Sequence, residues 1–196
     1  MVNLAAALEK ITGLAHTRDG PYLVCAEPGG EPYIAKWDGA LLGAKPTDEA
    51  IEVAGLAMAL RFITEAIEIK GESLSRDDLW MFNNRGILLR RQGLWKEAVE
   101  NYRKALTVAP DDAGLHYNIG VAYADGKEYD RALQSFEKAL EVDPSLIRQT
   151  PSVSYNIATA HHRCRNLPEA RRYLTAALEL DPNYEPAKRL LGHLTA

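Results

Sequence analysis

One short phrase recurs along this chain of 196 residues and limits what the chain can fold into. The phrase reads KALEVDP at Lys138–Pro144, and near copies stand at two other places, KALTVAP (Lys104–Pro110) and AALELDP (Ala176–Pro182). Equivalent alanines are 34 residues apart between the first and second copies and 38 apart between the second and third. A repeat of this length, made of paired helical patterns, predicts a solenoid of stacked helix-turn-helix units.

The spacing of small and large residues within a unit predicts how its two helices pack. In the second unit, Ala132, Phe136 and Ala139 stand at i, i+4 and i+7, and therefore on one face of a helix. Two alanines around one ring let a partner helix come close, and Gly120 on the first helix allows the same approach. Pro144 ends the second helix, because proline has no N–H to continue the hydrogen-bond pattern. The other units repeat this arrangement with small changes, at Gly86, Ala98, Tyr102, Ala105, Ala158, Ala170, Leu174 and Ala177.

Local signals mark where the helices begin and end. Ser75 and Asp78 have the spacing of a capping box, and Thr150 precedes Pro151 at a first helical position. The turns between paired helices carry Gly or Asn, which are typical of helix C-termini. Four extra residues within SLIRQTPS interrupt the period, and we interpret them as an insertion tolerated at the surface.

The pattern from about Leu79 to Asn183 resembles the tetratricopeptide repeat (TPR). The resemblance implies a mostly α-helical solenoid in which a region at 75–183 holds three repeats and a C-terminal capping helix follows. The approximate bounds of the repeats and the cap are 79–112, 113–146, 151–184 and 184–196. Four residues depart from the family pattern in the first and third repeats, namely Arg85, Ala158, His161 and Leu174.

Residues 1–46 show no repeat and are expected to form a small α+β region. Two runs typical of β-strands, Tyr22–Ala26 and Tyr33–Trp37, flank the Pro-Gly-Gly segment of Glu27–Pro32, which predicts a β-hairpin. An isolated hairpin is marginally stable, so this one is expected to pack on helices or on a partner. Residues 33–53 also resemble a segment of small phage tail-assembly proteins, which implies a prophage origin for the gene.

A long apolar helix is predicted within residues 47–74, between the hairpin and the repeats. Thr47 is the expected N-cap, Asp48 and Glu49 occupy the first turn, and the helix is expected to end near Lys70. Apolar residues occur around most of its circumference, so we expect it to be buried on several sides. We interpret it as a bridge that packs between the hairpin and the repeats, or as the dimer surface of a homo-oligomer.

Charge and apolar patterning exclude several classes of protein. The formal net charge is −4, which argues against a nucleic-acid partner. No apolar run approaches the roughly 20 residues that span a bilayer, so no membrane partner is expected. Only Cys25 and Cys164 are present, which favours a reducing compartment over a disulfide-linked scaffold. A cytoplasmic protein is the resulting expectation.

No motif in the sequence predicts catalysis or a bound cofactor. The phosphate-binding, nucleophile-elbow and HExxH patterns are missing. The HHRC segment offers His161 and Cys164 on one side of a helix, with His162 pointing elsewhere and His193 as the one remote candidate. A structural zinc site needs four ligands. We therefore expect neither a metal site nor an enzyme.

The TPR resemblance implies a concave groove lined by the first helix of each repeat. Asn84, Asn118 and Asn156 occupy the same place in the three repeats. Amides donate and accept, so this ladder can pair with the backbone of an extended peptide. The alternative is that the asparagines hold the first helices together. Carried over position by position, the lining residues are Trp80, Asn83, Asn84, Ile87, Arg90, Arg91, Tyr117, Asn118, Val121, Asp125, Tyr155, Asn156, His162 and Arg163.

The leading hypothesis is therefore a non-enzymatic adaptor that binds a peptide or protein segment in the concave groove, with an acidic segment favoured by the arginines. The chaperone-type carboxylate clamp of some TPR proteins is not supported, because its cationic positions hold Asn83, Ser152 and Asn156. The alternative is a structural or assembly factor, related to phage proteins, that acts through the N-terminal hairpin region.

Overall fold

The structure, a computed structural model, describes Tyr22–Cys25, Tyr33–Trp37 and Asp48–Thr195. The chain divides into two units, Met1–Gly71 and Glu72–Ala196, which are described separately. None of the helices in the described ranges is long and apolar enough to cross a membrane. The finer division into four segments stays a prediction.

Two short strands, β1 (Tyr22–Cys25) and β2 (Tyr33–Trp37), belong to the first unit. They pair antiparallel, with Tyr22 opposite Trp37 and Cys25 opposite Tyr33. The register shifts between the second and third residues of β1. The turn predicted at Glu27–Pro32 lies outside the described residues, so the hairpin as a whole stays a prediction.

The long helix predicted next is α1 (Asp48–Lys70), and a short 3₁₀ turn, Gly71–Ser73, follows it. Its end at Lys70 agrees with the sequence, whereas its expected N-cap, Thr47, lies outside the described residues. Ile67 is buried, but Phe62 and Ile69 are exposed. The prediction that this helix is buried on several sides is therefore wrong at Phe62 and Ile69.

The second unit consists of paired helices along its described length. A 3₁₀ turn at Arg76–Asp78 leads into the first helix, and a second one at Pro144–Arg148 precedes the third pair. Each helix packs against the next one along the chain. The helices are α2 (Leu79–Arg91), α3 (Trp95–Val108), α4 (Ala113–Asp125), α5 (Tyr129–Val142), α6 (Pro151–Arg163), α7 (Leu167–Leu180) and α8 (Glu185–Thr195).

Equivalent residues of the three helix pairs form the core, which confirms the helical phase predicted from the repeat. Nine side chains of the second helices are at most 1% exposed: Ala98, Tyr102, Ala105, Ala132, Phe136, Ala139, Ala170, Leu174 and Ala177. At the end of the unit, α8 buries Ala187 against Leu174, and the leucines of α8 pack on the same cluster. The cap closes an apolar surface that the last repeat would otherwise expose to water.

The residue on the first helix matches the size of the residue that faces it. A Cβ atom at Gly120 would lie 2.5 Å from two ring carbons of Phe136, and one at Gly86 would overlap the ring of Tyr102. The third pair has Ala158 opposite the smaller Leu174, and both are fully buried. The departure from glycine at position 158 is therefore compensated across the helix interface.

The turn inside each helix pair has one backbone geometry. Glu128 N–H donates to the Tyr123 carbonyl and Lys127 N–H donates to the Ala124 carbonyl, which is the pattern of a Schellman motif. The same bonds recur in the other two pairs. The left-handed position is filled by Gly93, Lys127 and Arg165, whose φ angles are 75°, 62° and 60°.

Gly126 is required by a contact between repeats that the sequence did not predict. Its φ is −76°, so it does not occupy the left-handed position at the helix end. A Cβ atom there would lie 2.5 Å from the ring of Trp95. Glycine at this place admits the indole of the preceding repeat against the end of α4.

The predicted capping signals at Ser75 and Thr150 are confirmed. Ser75 N–H donates to the Asp78 carboxylate at 2.9 Å in a reciprocal capping box. Thr150 occupies the N-cap position of α6 without a side-chain bond to the helix, and Pro151 is the first helical residue. The interpretation of the SLIRQTPS insertion as a surface loop is wrong in part, because Leu146 is 5% exposed. Ser154, which is fully buried, also donates to the Ile147 carbonyl at 3.2 Å. The insertion thus adds a packed 3₁₀ turn.

Arg85, the polar departure in the first repeat, is held by a buried amide. Its Nη1 donates to the Asn101 side chain at 3.4 Å, and Asn101 in turn donates to the Phe82 carbonyl at 2.7 Å. Asn101 is 2% exposed. The sequence alone did not identify this partner, because the equivalents of Asn101 are Ser135 and Tyr173 and no amide recurs at this position.

Candidate functional site

The predicted lining residues lie on the first helices α2, α4 and α6, and we call this side of the repeats the concave face. Asn118 Nδ2 donates to Asn83 Oδ1 at 3.2 Å, which links α4 to α2. Asn156 Nδ2 donates to the Tyr117 hydroxyl at 2.7 Å, which links α6 to α4. Each bond joins one repeat to the repeat before it, so these side chains form a row across the unit.

Asn84 has a different environment from the two asparagines that are equivalent to it. Asn118 and Asn156 are half-buried in contact with a preceding repeat, whereas Asn84 is exposed. The structure therefore joins Asn83, and not Asn84, to Asn118. The bonds Asn118–Asn83 and Asn156–Tyr117 each hold two first helices together, which is the role that the alternative interpretation gave to the asparagines.

An ion pair crosses the same face. Arg90 Nε lies 2.6 Å from Asp125 Oδ2, and the two side chains are 23% and 42% exposed. Beneath this pair, burial raises the pKa of the Tyr102 phenol above its ordinary value of 10.0. Tyr102 is fully buried, and its hydroxyl has no hydrogen-bond partner within the described part of the chain. A neutral phenol thus lies below a paired guanidinium.

One side of α2 carries a stripe of exposed residues at i, i+4, i+7 and i+11, namely Trp80, Asn84, Ile87 and Arg91. Trp80 and Ile87 are 56% and 42% exposed, so this stripe presents two large apolar residues to solvent on one face of the helix. On α4 the equivalent of Ile87 is Val121, which is buried. The stripe is therefore a property of the first repeat.

Aromatic rings stiffen the rest of the face. Tyr117 packs on Phe136 with ring centroids 5.5 Å apart, and Tyr155 packs edge-on against Tyr184 at 5.7 Å. Burial raises the pKa of the Tyr117 phenol, so it stays neutral and can accept the Asn156 amide. The packing of Tyr117 on Phe136 holds the Tyr117 hydroxyl in place for the polar row.

The last predicted residues, His162 and Arg163, lie at the C-terminal end of α6. His162 is half-buried and Arg163 is exposed. Neither residue belongs to the inter-repeat bonds described above. Arg91 and Arg163 are the exposed cations of the predicted groove, while Arg90 is paired with Asp125.

The HHRC segment has other contacts. The His161 ring stacks on Tyr173 with centroids 5.6 Å apart and an interplanar angle of 12°. Cys164 Sγ lies 3.5 Å from Asp130, and burial raises the pKa of the thiol, which lowers its thiolate fraction. Within the described ranges there is no group of three or more His, Cys, Asp or Glu residues that could hold a metal ion.

A sequence model of the tetratricopeptide repeat matches residues 83–147 and 128–185. The two matches overlap and together cover more than half of the 196 residues. The chain belongs to the tetratricopeptide repeat family. The TPR fold predicted from the KALEVDP phrase is thereby confirmed for this part of the chain.

Two curated relatives illustrate how the chain compares with longer TPR proteins. Superkiller complex protein 3 of Homo sapiens is 26% identical over 150 residues, which cover 76% of this chain and 9% of that protein. Photosystem I assembly protein Ycf3 of Synechococcus elongatus is 29% identical over 115 residues, which cover 50% of this chain and 64% of that protein. The chain spans less than two thirds of either relative.

Solved TPR structures share the fold. MamA has a TM-score of 0.61 at 14% identity, over 77% of this chain and 83% of that chain. The first TPR of Spaghetti (RPAP3), bound to an HSP90 peptide, has a TM-score of 0.56 at 22% identity, over 64% of this chain and 96% of that chain. At such identities the likeness concerns the fold alone.

Proposed function

We propose that this TPR protein is a non-enzymatic adaptor whose concave face binds an extended segment of a partner protein. The observation that carries this proposal is the polar row formed by the pairs Asn83–Asn118 and Tyr117–Asn156. The row runs from repeat to repeat and therefore offers hydrogen-bonding groups along a line. An extended peptide presents its own backbone groups in the same way.

The amides of the row keep hydrogen-bonding capacity after they have linked the repeats. A side-chain amide has two N–H donors and a carbonyl oxygen with two lone pairs. Asn118 uses one N–H for Asn83. Its second N–H and its carbonyl oxygen can serve a peptide, so linking the repeats and binding a partner are compatible.

Apolar contacts are expected beside this row, on the exposed stripe of α2. Trp80 and Ile87 expose more than two fifths of their side chains, and Arg91 lies one further turn along. Tryptophan and arginine are enriched among the residues that dominate binding energies at interfaces. A partner segment that buries this stripe gains apolar contact area in addition to the hydrogen bonds.

The charges favour an acidic segment without reproducing the chaperone-type clamp. Arg91 and Arg163 are exposed, whereas an acidic group that approaches Arg90 must compete with Asp125. Two clamp positions hold Asn83 and Asn156, whose side chains are engaged between repeats. The HSP90 peptide in the Spaghetti structure supports peptide binding by this fold in general.

Site-specific photo-crosslinking tests the location of the binding surface. Benzoylphenylalanine replaces Ile87 on the concave face, and the matched control carries it at Val142, an exposed apolar residue at the end of α5. We expect a protein from the native host to crosslink at position 87 and not at position 142. Equal crosslinking at the two positions would place binding elsewhere.

The crosslinked segment, prepared as a synthetic peptide, then tests the polar row. The loss of one hydrogen bond is worth about 0.5–1.5 kcal/mol, so Asn118→Ala should raise the dissociation rate about 2- to 12-fold. Gln149→Ala, which removes an exposed amide that follows the Pro144–Arg148 turn, should leave the rate unchanged. If Asn118→Ala has no effect while Trp37→Ala abolishes binding, the assembly-factor hypothesis replaces the adaptor.

A further inference from the structure

A second concave surface lies outside the polar row. It is a cleft of about 690 Å³ between α3 and α5, with α4 at its base, and we call it the second-helix cleft. Val99 and Ile119 form an apolar base, and both are buried. The rings of Trp95 and Tyr123 lie beside them, 6.1 Å apart between centroids.

Three cations surround the two rings. The Lys96 ammonium lies 5.4 Å from the Trp95 ring centroid, and the Arg131 guanidinium lies 5.8 Å from that of Tyr123. Arg103 donates to the Tyr123 hydroxyl at 2.9 Å and to the Glu100 carboxylate at 2.7 Å. Glu100 is the one acidic residue among those that line the cleft, so its lining is basic.

The next pair of repeats provides an internal comparison. A smaller cleft of about 310 Å³ lies between α5 and α7, with α6 at its base. Its lining has Glu137 and Glu169 where the second-helix cleft has Arg103 and Arg131. The equivalent of Lys96 is also acidic, because it is Asp130.

This reversal shows that the repeat geometry does not require cations at these positions. The same helix pairing accepts a glutamate at each of the two arginine positions, so the basic charge is specific to one cleft. Arg103 is paired with Glu100 at 2.7 Å and Arg131 with Glu128 at 3.9 Å, but the two arginine side chains are 54% and 61% exposed and therefore remain accessible to a ligand. Arginine beside tyrosine and tryptophan is the composition typical of binding hot spots.

We propose that the second-helix cleft binds an acidic peptide segment that places an apolar side chain over Val99 and Ile119. The three cations surround the acidic residues, and the base accepts the apolar one. The formal net charge of −4 disfavours a nucleic acid, and the cleft offers only three cations to its repeated phosphates. A short peptide fits this lining because its charges can be confined to the cleft.

The proposed site is separate from the concave face. Ile119, at the base of the cleft, and Val121, on the concave face, are two residues apart on α4. Two residues correspond to about 200° around an α-helix, so their side chains point to opposite sides of α4. One peptide on each side can therefore be bound at the same time.

Fluorescence anisotropy with defined probes tests this site in the full chain. The probe is a fluorescein-labelled peptide of 15 residues (about 50 Å when extended) made of Glu, Leu and Ser, and its matched control has Lys in place of every Glu. A single-stranded DNA of equal length is the third probe. We expect binding of the acidic peptide alone, with affinity that falls as salt rises.

Charge exchange between the two clefts supplies the decisive variants. Arg103→Glu with Arg131→Glu should weaken binding of the acidic peptide at least tenfold, and the glutamine versions should weaken it with less risk to folding. Glu137→Arg with Glu169→Arg should add one further bound peptide per chain. Lys104→Ala with Arg189→Ala removes two exposed cations that lie outside both surfaces and should change nothing. Arg91→Ala with Arg163→Ala measures any contribution of the concave face, and circular dichroism melts verify that each variant is folded.

Four outcomes would overturn the proposal. The acidic peptide fails to bind the wild-type chain, or it binds the folded glutamine variant of Arg103 and Arg131 unchanged. Alternatively, binding is lost in the Arg91 and Arg163 variant, which would place the acidic ligand on the concave face. Tighter binding of DNA than of the peptide would assign the cleft to a nucleic acid.

Discussion

Gly120→Ala tests whether glycine on the first helix is required by the ring that faces it. A Cβ atom at this position would lie 2.5 Å from Cδ1 and Cε1 of Phe136 and 3.1 Å from the carbonyl oxygen of Ala132. Carbon atoms in ordinary contact are about 3.5–4.0 Å apart. The ring or the helix must therefore move by about 1 Å, in a place where Phe136 is 1% exposed and has little free space.

The magnitude follows from two opposing effects. Overpacking of this kind costs about 1–3 kcal/mol. Replacing glycine by alanine inside a helix returns about 1 kcal/mol through backbone entropy and helix propensity. Because three atoms are in conflict, and one of them belongs to the backbone, we expect a net loss of about 1–2 kcal/mol in the free energy of unfolding.

The third repeat suggests a double variant that tests whether the loss of stability comes from the clash with the Phe136 ring. It has Ala158 facing Leu174, so Gly120→Ala combined with Phe136→Leu reproduces a pair that the chain already contains. Phe136→Leu alone should cost about 1 kcal/mol, because it leaves a cavity. The double variant should nevertheless be at least as stable as Gly120→Ala, which corresponds to a favourable coupling of about 1 kcal/mol or more.

Urea unfolding followed by circular dichroism at 222 nm measures these differences as shifts in the midpoint at constant slope. Wild type, both single variants and the double variant form one thermodynamic cycle. Additive losses in the double variant would refute the argument, because they would mean that Phe136 does not set the size limit at position 120.

Two further variants examine the turns and the third repeat. Lys127→Gly should stabilise the protein by up to about 1 kcal/mol in the same urea assay, because Lys127 has a φ of 62°. The same replacement at exposed Lys104, within α3, should instead cost about 1 kcal/mol, and a loss at both positions would contradict the backbone explanation. Burial lowers the pKa of His161 below its ordinary value of 6.5, while Glu169 and Glu137 oppose and Arg172 supports the shift. The unfolded chain then binds the proton more readily, so the stability that neutral His161 contributes is present above about pH 6.5 and is lost as the pH falls through the folded pKa. His161→Phe should make unfolding less sensitive to pH between 8 and 5, and an unchanged pH profile would show that burial of the imidazole has no such effect.

The sequence was sufficient for features that every repeat must satisfy. Helix phase could be read from Ala132, Phe136 and Ala139, because their spacing repeats in the other units and core burial enforces it. The capping box at Ser75 could be read for a similar reason, since its two partners are three residues apart. Both inferences depend on residues that are near in sequence or recur at a fixed period.

Features that join different repeats could not be predicted in this way. The partner of Asn118 is Asn83, which lies 35 residues earlier and one position away from its strict equivalent. Alignment of the repeats placed Asn84 in the row, although the crossing between helices selects its neighbour. The pairing of Arg90 with Asp125 could not be predicted either, because it depends on the distance between two helices and on the rotamers of both side chains.

Comparison of the repeats separates what the fold requires from what it leaves free. Gly120 and Ala158 differ, but their partners differ in the opposite direction, so packing explains the pair. Arg103 and Glu137 also differ. Arg103 donates to the Tyr123 hydroxyl, and Glu137 acts on His161, the equivalent of Tyr123, but both charged side chains lie at the edge of an open cleft. A charge at the edge of an open cleft is available to a ligand even where it contacts its own repeat. This reasoning directs attention to the second-helix cleft, since its charge is the property that the neighbouring repeat shows to be dispensable for folding.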